Sequence, residues 1–95
     1  MAETIDDITI EYVDNGVTTV KELAKEVLTK GAWTTIVFKY QDWVPSKEEY
    51  GPEKYSIRRF RKQNGVYRQQ SKFNISNNEQ AQKIIDILGK WIAED

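Results

Sequence analysis

A chain of 95 residues has room for a single domain, residues 1–95, and buries only about 60–65% of its unfolded surface, so a second core is excluded. Hydrophobic residues at 39% and charged ones at 31% place it among globular chains, and no apolar run approaches the roughly 18 residues of a membrane span. A balance of 14 basic and 15 acidic side chains excludes avid duplex binding by bulk charge. The lack of any cysteine or histidine removes disulfides, thiolate chemistry and the commonest general base and transition-metal ligand.

The opening "MAETIDDITIEY" is acidic. It lacks a basic stretch followed by an apolar one, so no signal peptide is expected, and the absence of cysteine suits a cytoplasmic protein. Within it, "DITIEYVD" sets Ile8, Ile10 and Tyr12 against Thr9, Glu11 and Val13, the period of a strand. Asp14-Asn15-Gly16 signals a turn. In "TVKELAKEVLTKG", Val20, Leu23, Ala24, Val27 and Leu28 fall at the spacing of one helical face. Thr19 with Glu22 has the form of a capping box and Gly31 is placed to end the element. This segment is expected to be a helix.

"AWTTIVFKYQDW" is rich in β-branched and aromatic residues on both faces and predicts a long central strand. "VPSKEEYGPE" reads as a loop. "KYSIRRFRK" and "VYRQQSKFNI" read as strands, and Asn64-Gly65 between them is a strong hairpin signal. In the last segment, Ala81, Ile84, Ile85, Leu88, Trp91 and Ile92 form one stripe behind a Ser76–Glu79 capping box. Gly89 weakens that helix by roughly 1 kcal/mol. The expected fold is α+β: an antiparallel sheet of about four strands in the order β-α-β-β-β-α, with strands 33–42, 54–62 and 66–75 mutually antiparallel and the C-terminal amphipathic helix packed on the sheet.

Charge is distributed unevenly. Lys54 to Lys72 holds seven basic residues and no acidic one, with Tyr55, Phe60 and Tyr67 threaded through it. Alternation puts Arg59 and Arg61 on the face of Tyr55 and Ile57, and Arg58, Phe60 and Lys62 on the other; Arg68 and Tyr67 continue the two faces across the turn. Cations along phosphates and rings under bases are what a single strand of nucleic acid requires. The candidate contacts are Arg58, Arg59, Arg61, Lys62, Arg68 and Lys72, with Phe60 and Tyr67 as stacking rings. The competing reading is a solvated hairpin whose cations block edge aggregation or pair with Glu11, Glu48 and Glu49.

Two motifs carry a resemblance. "YSIRRF" is similar to an apolar-x-Ile-Arg-x-aromatic strand, and "FNISNNEQ" to an alternating strand ending in a cap and Glu-Gln. From Trp33 to Ile92 the chain thus resembles the whirly-type single-strand-binding family of the transcriptional coactivator positive cofactor four. The resemblance implies a sheet followed by a C-terminal helix, a homodimer, and single-stranded DNA carried in basic, aromatic-lined grooves. It assigns Arg58 to the strand arginine and Phe60 to the aromatic two residues on. Ser71-Lys72 stands one residue out of register with the family's lysine-glycine, and Ala81 lies near where the family has a tryptophan. The order helix-strand-strand-strand-helix also resembles the double-stranded-RNA-binding domain. That family starts its last helix with lysines, whereas here the start reads Asn77-Asn78-Glu79-Gln80.

Other classes find less support. Asp6-Asp7 and Glu48-Glu49 are adjacent carboxylates, which point apart on a strand and make a poor acid/base couple. No glycine-rich phosphate loop precedes a helix and no metal-ligand spacing occurs. The expectation is a non-enzymatic protein without cofactor or metal, whose partner is single-stranded DNA or RNA. Trp33, Trp43, Tyr50 and Trp91 are many large aromatics for so small a core, which points either to a homodimer contact or to a protein-interaction module.

Overall fold

The computed structural model describes residues 2–94. Its strands are β1 (Tyr12–Asp14), β2 (Val17–Thr29), β3 (Trp33–Val44), β4 (Glu49–Tyr50), β5 (Lys54–Gln63) and β6 (Val66–Ile75), followed by the helix α1 (Asn78–Glu94). The strands run antiparallel in the order β1-β2-β3-β5-β6, with β4 on β3, and the sheet curls into a half-barrel. Both two-residue hairpin turns are Asn-Gly. Asn15-Gly16 has φ of 49° and 79°, and Asn64-Gly65 has φ of 52° and 81°. Positive φ at both central positions is what a type I′ turn demands and what Asn-Gly tolerates.

The expected order of four strands and two helices is wrong. Residues 17–29 form a strand, not a helix. The helical spacing arises from two bulges. In the pairing with β3, Glu22 meets Tyr40 and the next partner of Lys39 is Ala24, so Leu23 is extra; Val27 meets Ile36 and Thr29 meets Thr35, so Leu28 is extra. Each extra residue shifts the alternation by one, and two such shifts convert a period of 2 into a pattern like 3.6. Val17, Thr18, Thr19, Val20, Val27 and Thr29 supply the β-branched ends that suit a pleated surface. Glu22 does not cap anything. Its Oε1 accepts from the Thr9 hydroxyl at 2.7 Å and from the Ile10 amide at 3.2 Å.

The strand expected at the N-terminus is also shortened. Residues 5–7 make a 3-10 turn and β1 begins only at Tyr12. Between them the chain crosses one face of the sheet as a strap. Ile8 and Ile10 are buried there against Ile36, Phe38, Tyr40 and Phe60, with Ala2, Ile5, Val20, Val27 and Tyr67 at the margin. Lys25 fastens the strap: its Nζ donates to the carbonyls of Ile5, Asp6 and Ile8 at 2.9, 3.0 and 2.7 Å. At the far edge, the Tyr67 amide donates to the Ala2 carbonyl at 2.8 Å.

The sheet therefore has two unlike faces. The strap face carries Thr34, Ile36, Phe38 and Tyr40 of β3, all buried. The open face carries Trp33, Thr35, Val37 and Lys39. The helix was expected to cover one face, but among its described residues none is buried. The start of α1 is fixed by Asn77, whose Oδ1 accepts from the Gln80 amide at 2.8 Å, and by Tyr55, whose hydroxyl donates to Asn78 at 2.6 Å. The cap lies one residue beyond Ser76. Farther along, Ile85, Leu88, Trp91 and Ile92 are 50–71% exposed. The radius of gyration, 15.3 Å, exceeds the about 12 Å expected of a compact chain this long. The molecule is a slab of 50 × 39 × 17 Å, and only the first turns of its helix, at Ala81 and Ile84, are half-buried, beside Val37, Tyr55 and Ile75.

Candidate nucleic-acid interface

Pairing of β3 with β5 and β6 fixes where each cation stands. Trp33, Arg61 and Arg68 form one rung; Thr35, Arg59 and Ser71 the next; Val37, Ile57 and Phe73 the third. All nine lie on the open face, because directly paired residues share a face. Arg58 and Lys72 pair on the strap face, as do Lys62 and Tyr67. The Asn64-Gly65 turn sets Arg68 opposite Arg61, and a bulge after Arg59, where Gln70 is unmatched, puts Lys72 opposite Arg58 and Phe73 opposite Ile57. The eight residues singled out in sequence are thus divided. Arg59, Arg61 and Arg68 go to the open face, and Arg58, Phe60, Lys62, Tyr67 and Lys72 to the strap face.

The open-face cluster is built around Trp33. The Arg59 guanidinium lies 4.5 Å and that of Arg61 5.3 Å from the centre of the indole. Such pairs are worth about 0.5–1 kcal/mol when exposed. They also hold both guanidinium groups in place while 41% of the tryptophan stays open. Phe73, two rungs away, is 53% exposed. Sequence alone did not connect Trp33 or Phe73 with the arginines. Their common face depends on the β3–β5 register and on the Gln70 bulge, neither of which has a local signature.

The strap face treats its rings differently. Phe60 is 6% exposed and meets Phe38 edge-on, centroids 6.5 Å apart. It is core and cannot receive a base. Tyr67 is half-buried and held at both ends, with its amide on Ala2 and its hydroxyl donating to the Gly31 carbonyl at 3.3 Å. Lys62 lies 5.4 Å from its ring centre. Arg58 is half-buried; its side chain donates to Ser56 Oγ at 3.0 Å and to Gln69 Oε1 at 3.1 Å. Burial draws its guanidinium below the ordinary arginine value.

Among the described residues, the hairpin cations other than Lys54 do not pair with the chain's own acids. Among the described residues the ion pairs are Lys39–Glu53, Lys54–Asp42 and Lys83–Glu79. Of the seven basic residues in the stretch, Lys54 is thereby spent. Its ammonium donates to Asp42 at 3.0 Å, which holds it above the usual lysine value. Arg58, Arg59, Arg61, Lys62, Arg68 and Lys72 take part in none of these pairs. Trp43 and Tyr50, two of the surplus aromatics, are accounted for by an edge-on contact at 5.1 Å, with the Tyr50 hydroxyl donating to Thr18.

Among the described residues no group of three or more acidic side chains could hold a metal ion, and no helix is long and apolar enough to cross a membrane. Comparison with protein-family models, curated proteins and solved structures found no match.

Proposed function

We propose that this chain binds single-stranded nucleic acid, DNA or RNA, on the open face of its sheet, with Arg59, Arg61 and Arg68 on phosphates and Trp33 as the stacking ring. The observation that carries the reading is the half-open indole with two guanidinium groups 4.5 and 5.3 Å from its centre, on a ribbon that offers to one side three arginines in no ion pair among the described residues. A single strand, which can splay its bases onto such a ring, fits this surface; a duplex hides its base faces. Exposed Phe73 extends the platform. Phe60 and Tyr67 leave the list of stacking residues, since packing holds both.

The structure also changes the expected salt dependence. Six cations on one strand would give a slope of log affinity on log salt of about −4, but three on one face give about −2. Trp33→Ala is expected to weaken binding of a short oligonucleotide by about 1–3 kcal/mol. It should leave the protein folded, at a cost of about 1–2 kcal/mol for the two lost cation–π contacts, because the ring is not in the core. Titration with single-stranded and duplex oligonucleotides, read by fluorescence anisotropy, tests both points. Equal affinity of Trp33→Ala and wild type would rule out the indole as a platform.

A homodimer is part of the same reading. The stripe of Leu88, Trp91 and Ile92 is exposed, and the cleft beside it is lined by Val37, Tyr55, Ile75, Ala81 and Ile84. A second copy brings an identical stripe to an identical cleft, the self-complementary arrangement of a twofold contact. Light scattering is expected to give twice the chain mass, and Leu88→Lys with Trp91→Lys to return a folded monomer. A monomer mass for the unaltered chain at high concentration defeats the assignment.

A further inference from the structure

The two most polarised segments of the chain meet on the strap face. Residues 2–14 contain Glu3, Asp6, Asp7, Glu11 and Asp14 and no basic residue. Residues 54–72 are the basic ribbon. The strap begins on the outer edge of β6, where Ala2 takes the Tyr67 amide, and Asp7 shares a cavity with Phe60 and Tyr67. On this side the ribbon carries Arg58, Lys62 and Lys72.

The strap is not attached evenly. Ile8 is 3% and Ile10 9% exposed, so these two side chains lock the end of the strap into the core. None of residues 5–7 is buried. Residues 2–7 are held by one amide from Tyr67, by Lys25, which gives the carbonyls of Ile5 and Asp6 two of its three hydrogen bonds, and by the partly buried Ala2 and Ile5 at the core's margin. Their carboxylates at Glu3, Asp6 and Asp7 are exposed and appear in none of the ion pairs of the described residues. These charges therefore stabilise little within the fold and act mainly on what approaches the strap face.

We infer that residues 2–7 are a displaceable acidic strap that withholds a second row of cations, Arg58, Lys62 and Lys72, from phosphates. This rests on the single-strand reading above. With the strap seated, its carboxylates repel the backbone of a bound strand, and binding is confined to the open face. With it lifted, the second row can join the first around the β6 edge, and Lys25, released from the strap carbonyls, adds a further cation on the same side.

The test compares wild type with the full-length variant Glu3→Gln, Asp6→Asn, Asp7→Asn. The control is Asp14→Asn, Glu48→Gln, Glu49→Gln, which removes the same charge from β1, at the other edge of the sheet, and from the β3–β4 turn and the start of β4. The probe is a labelled oligothymidylate of about 15 nucleotides, a length a single small domain can track. The strap variant is expected to bind about five- to tenfold tighter than wild type at low salt. Its salt slope should steepen from about −2 towards about −4 as further phosphates are neutralised. The control should change affinity by less than about twofold and leave the slope alone. All three proteins should melt alike, since the altered side chains are exposed. A strap variant that matches the control in affinity and slope overturns the inference while leaving the open-face reading intact. If neither wild type nor variant binds the oligonucleotide at any salt, both fall together.

Discussion

Phe60→Ala is expected to destabilise the domain by about 3–5 kcal/mol, the cost of removing a buried aromatic from a core that cannot collapse around it. The ring is 6% exposed and meets Phe38 edge-on, and the cluster around it is small: Ile8, Ile10, Ile36, Phe38 and Tyr40. Few neighbours remain to fill the void. A domain of this length has a total stability of roughly 5–15 kcal/mol, so the variant loses a large share of it. At about 4–8 °C per kcal/mol, the melting temperature should fall by at least about 12 °C. Phe60→Leu, which keeps most of the volume, should cost less than about 1.5 kcal/mol. Thermal and urea unfolding read both changes. Phe60→Ala melting alongside wild type would contradict the placement of the ring in the core. The same variant bears on function: where it remains folded, oligonucleotide affinity should hardly change.

The hairpin was the most legible part of the chain because its signals are local. Asn64-Gly65 sets the turn, alternation sorts Arg59 and Arg61 from Arg58 and Lys62, and the observed pairing keeps that sorting. Strands 33–42 and 66–75 each pair antiparallel with 54–62 between them, within a sheet that is otherwise not the one expected. The stripe of α1 was equally visible, but a stripe says only that a face wants covering. Its first turns sit beside Tyr55 and Ile75, while Leu88, Trp91 and Ile92 stay exposed.

Residues 17–29 were misread for a physical reason. The middle of the segment, Lys21 to Glu26, contains good helix formers, and the bulges at Leu23 and Leu28 give a strand the spacing of a helix. Its pairing along β3, the next strand of the chain, overrides the local preference. The strap was obscure for a similar reason. Ile8 and Ile10 alternate like a strand, yet they are buried by crossing the sheet, not by joining it. The candidate site was half legible: alternation sorted Arg58, Arg59, Arg61 and Lys62, but the faces of Lys72 and Phe73 needed the Gln70 bulge, and Trp33 entered only through the register.

Arg59→Glu, Arg61→Glu and Arg68→Glu together are expected to abolish single-strand binding while the protein stays folded. Each phosphate neutralised on a single strand contributes about 0.7 of a power of ten in affinity for every tenfold dilution of salt below 1 M. At about 0.1 M salt, three contacts are therefore worth on the order of 100-fold, and reversed charges add repulsion beyond that. The folded state should tolerate the change. All three side chains are exposed, none is in an ion pair among the described residues, and the two contacts with Trp33 are worth only about 0.5–1 kcal/mol each. Lys62→Glu with Lys72→Glu is the informative companion. It reverses two charges on the same ribbon, so it matches most of the long-range effect, but it does so on the strap face. In the otherwise unaltered chain it should cost clearly less affinity than the open-face triple. The comparison separates a docked strand from a diffuse positive field, since a field would treat both sets alike per unit charge. Undiminished affinity in the folded open-face variant would end the nucleic-acid reading. The hairpin would then be a solvated edge whose cations keep β6 from pairing with other chains.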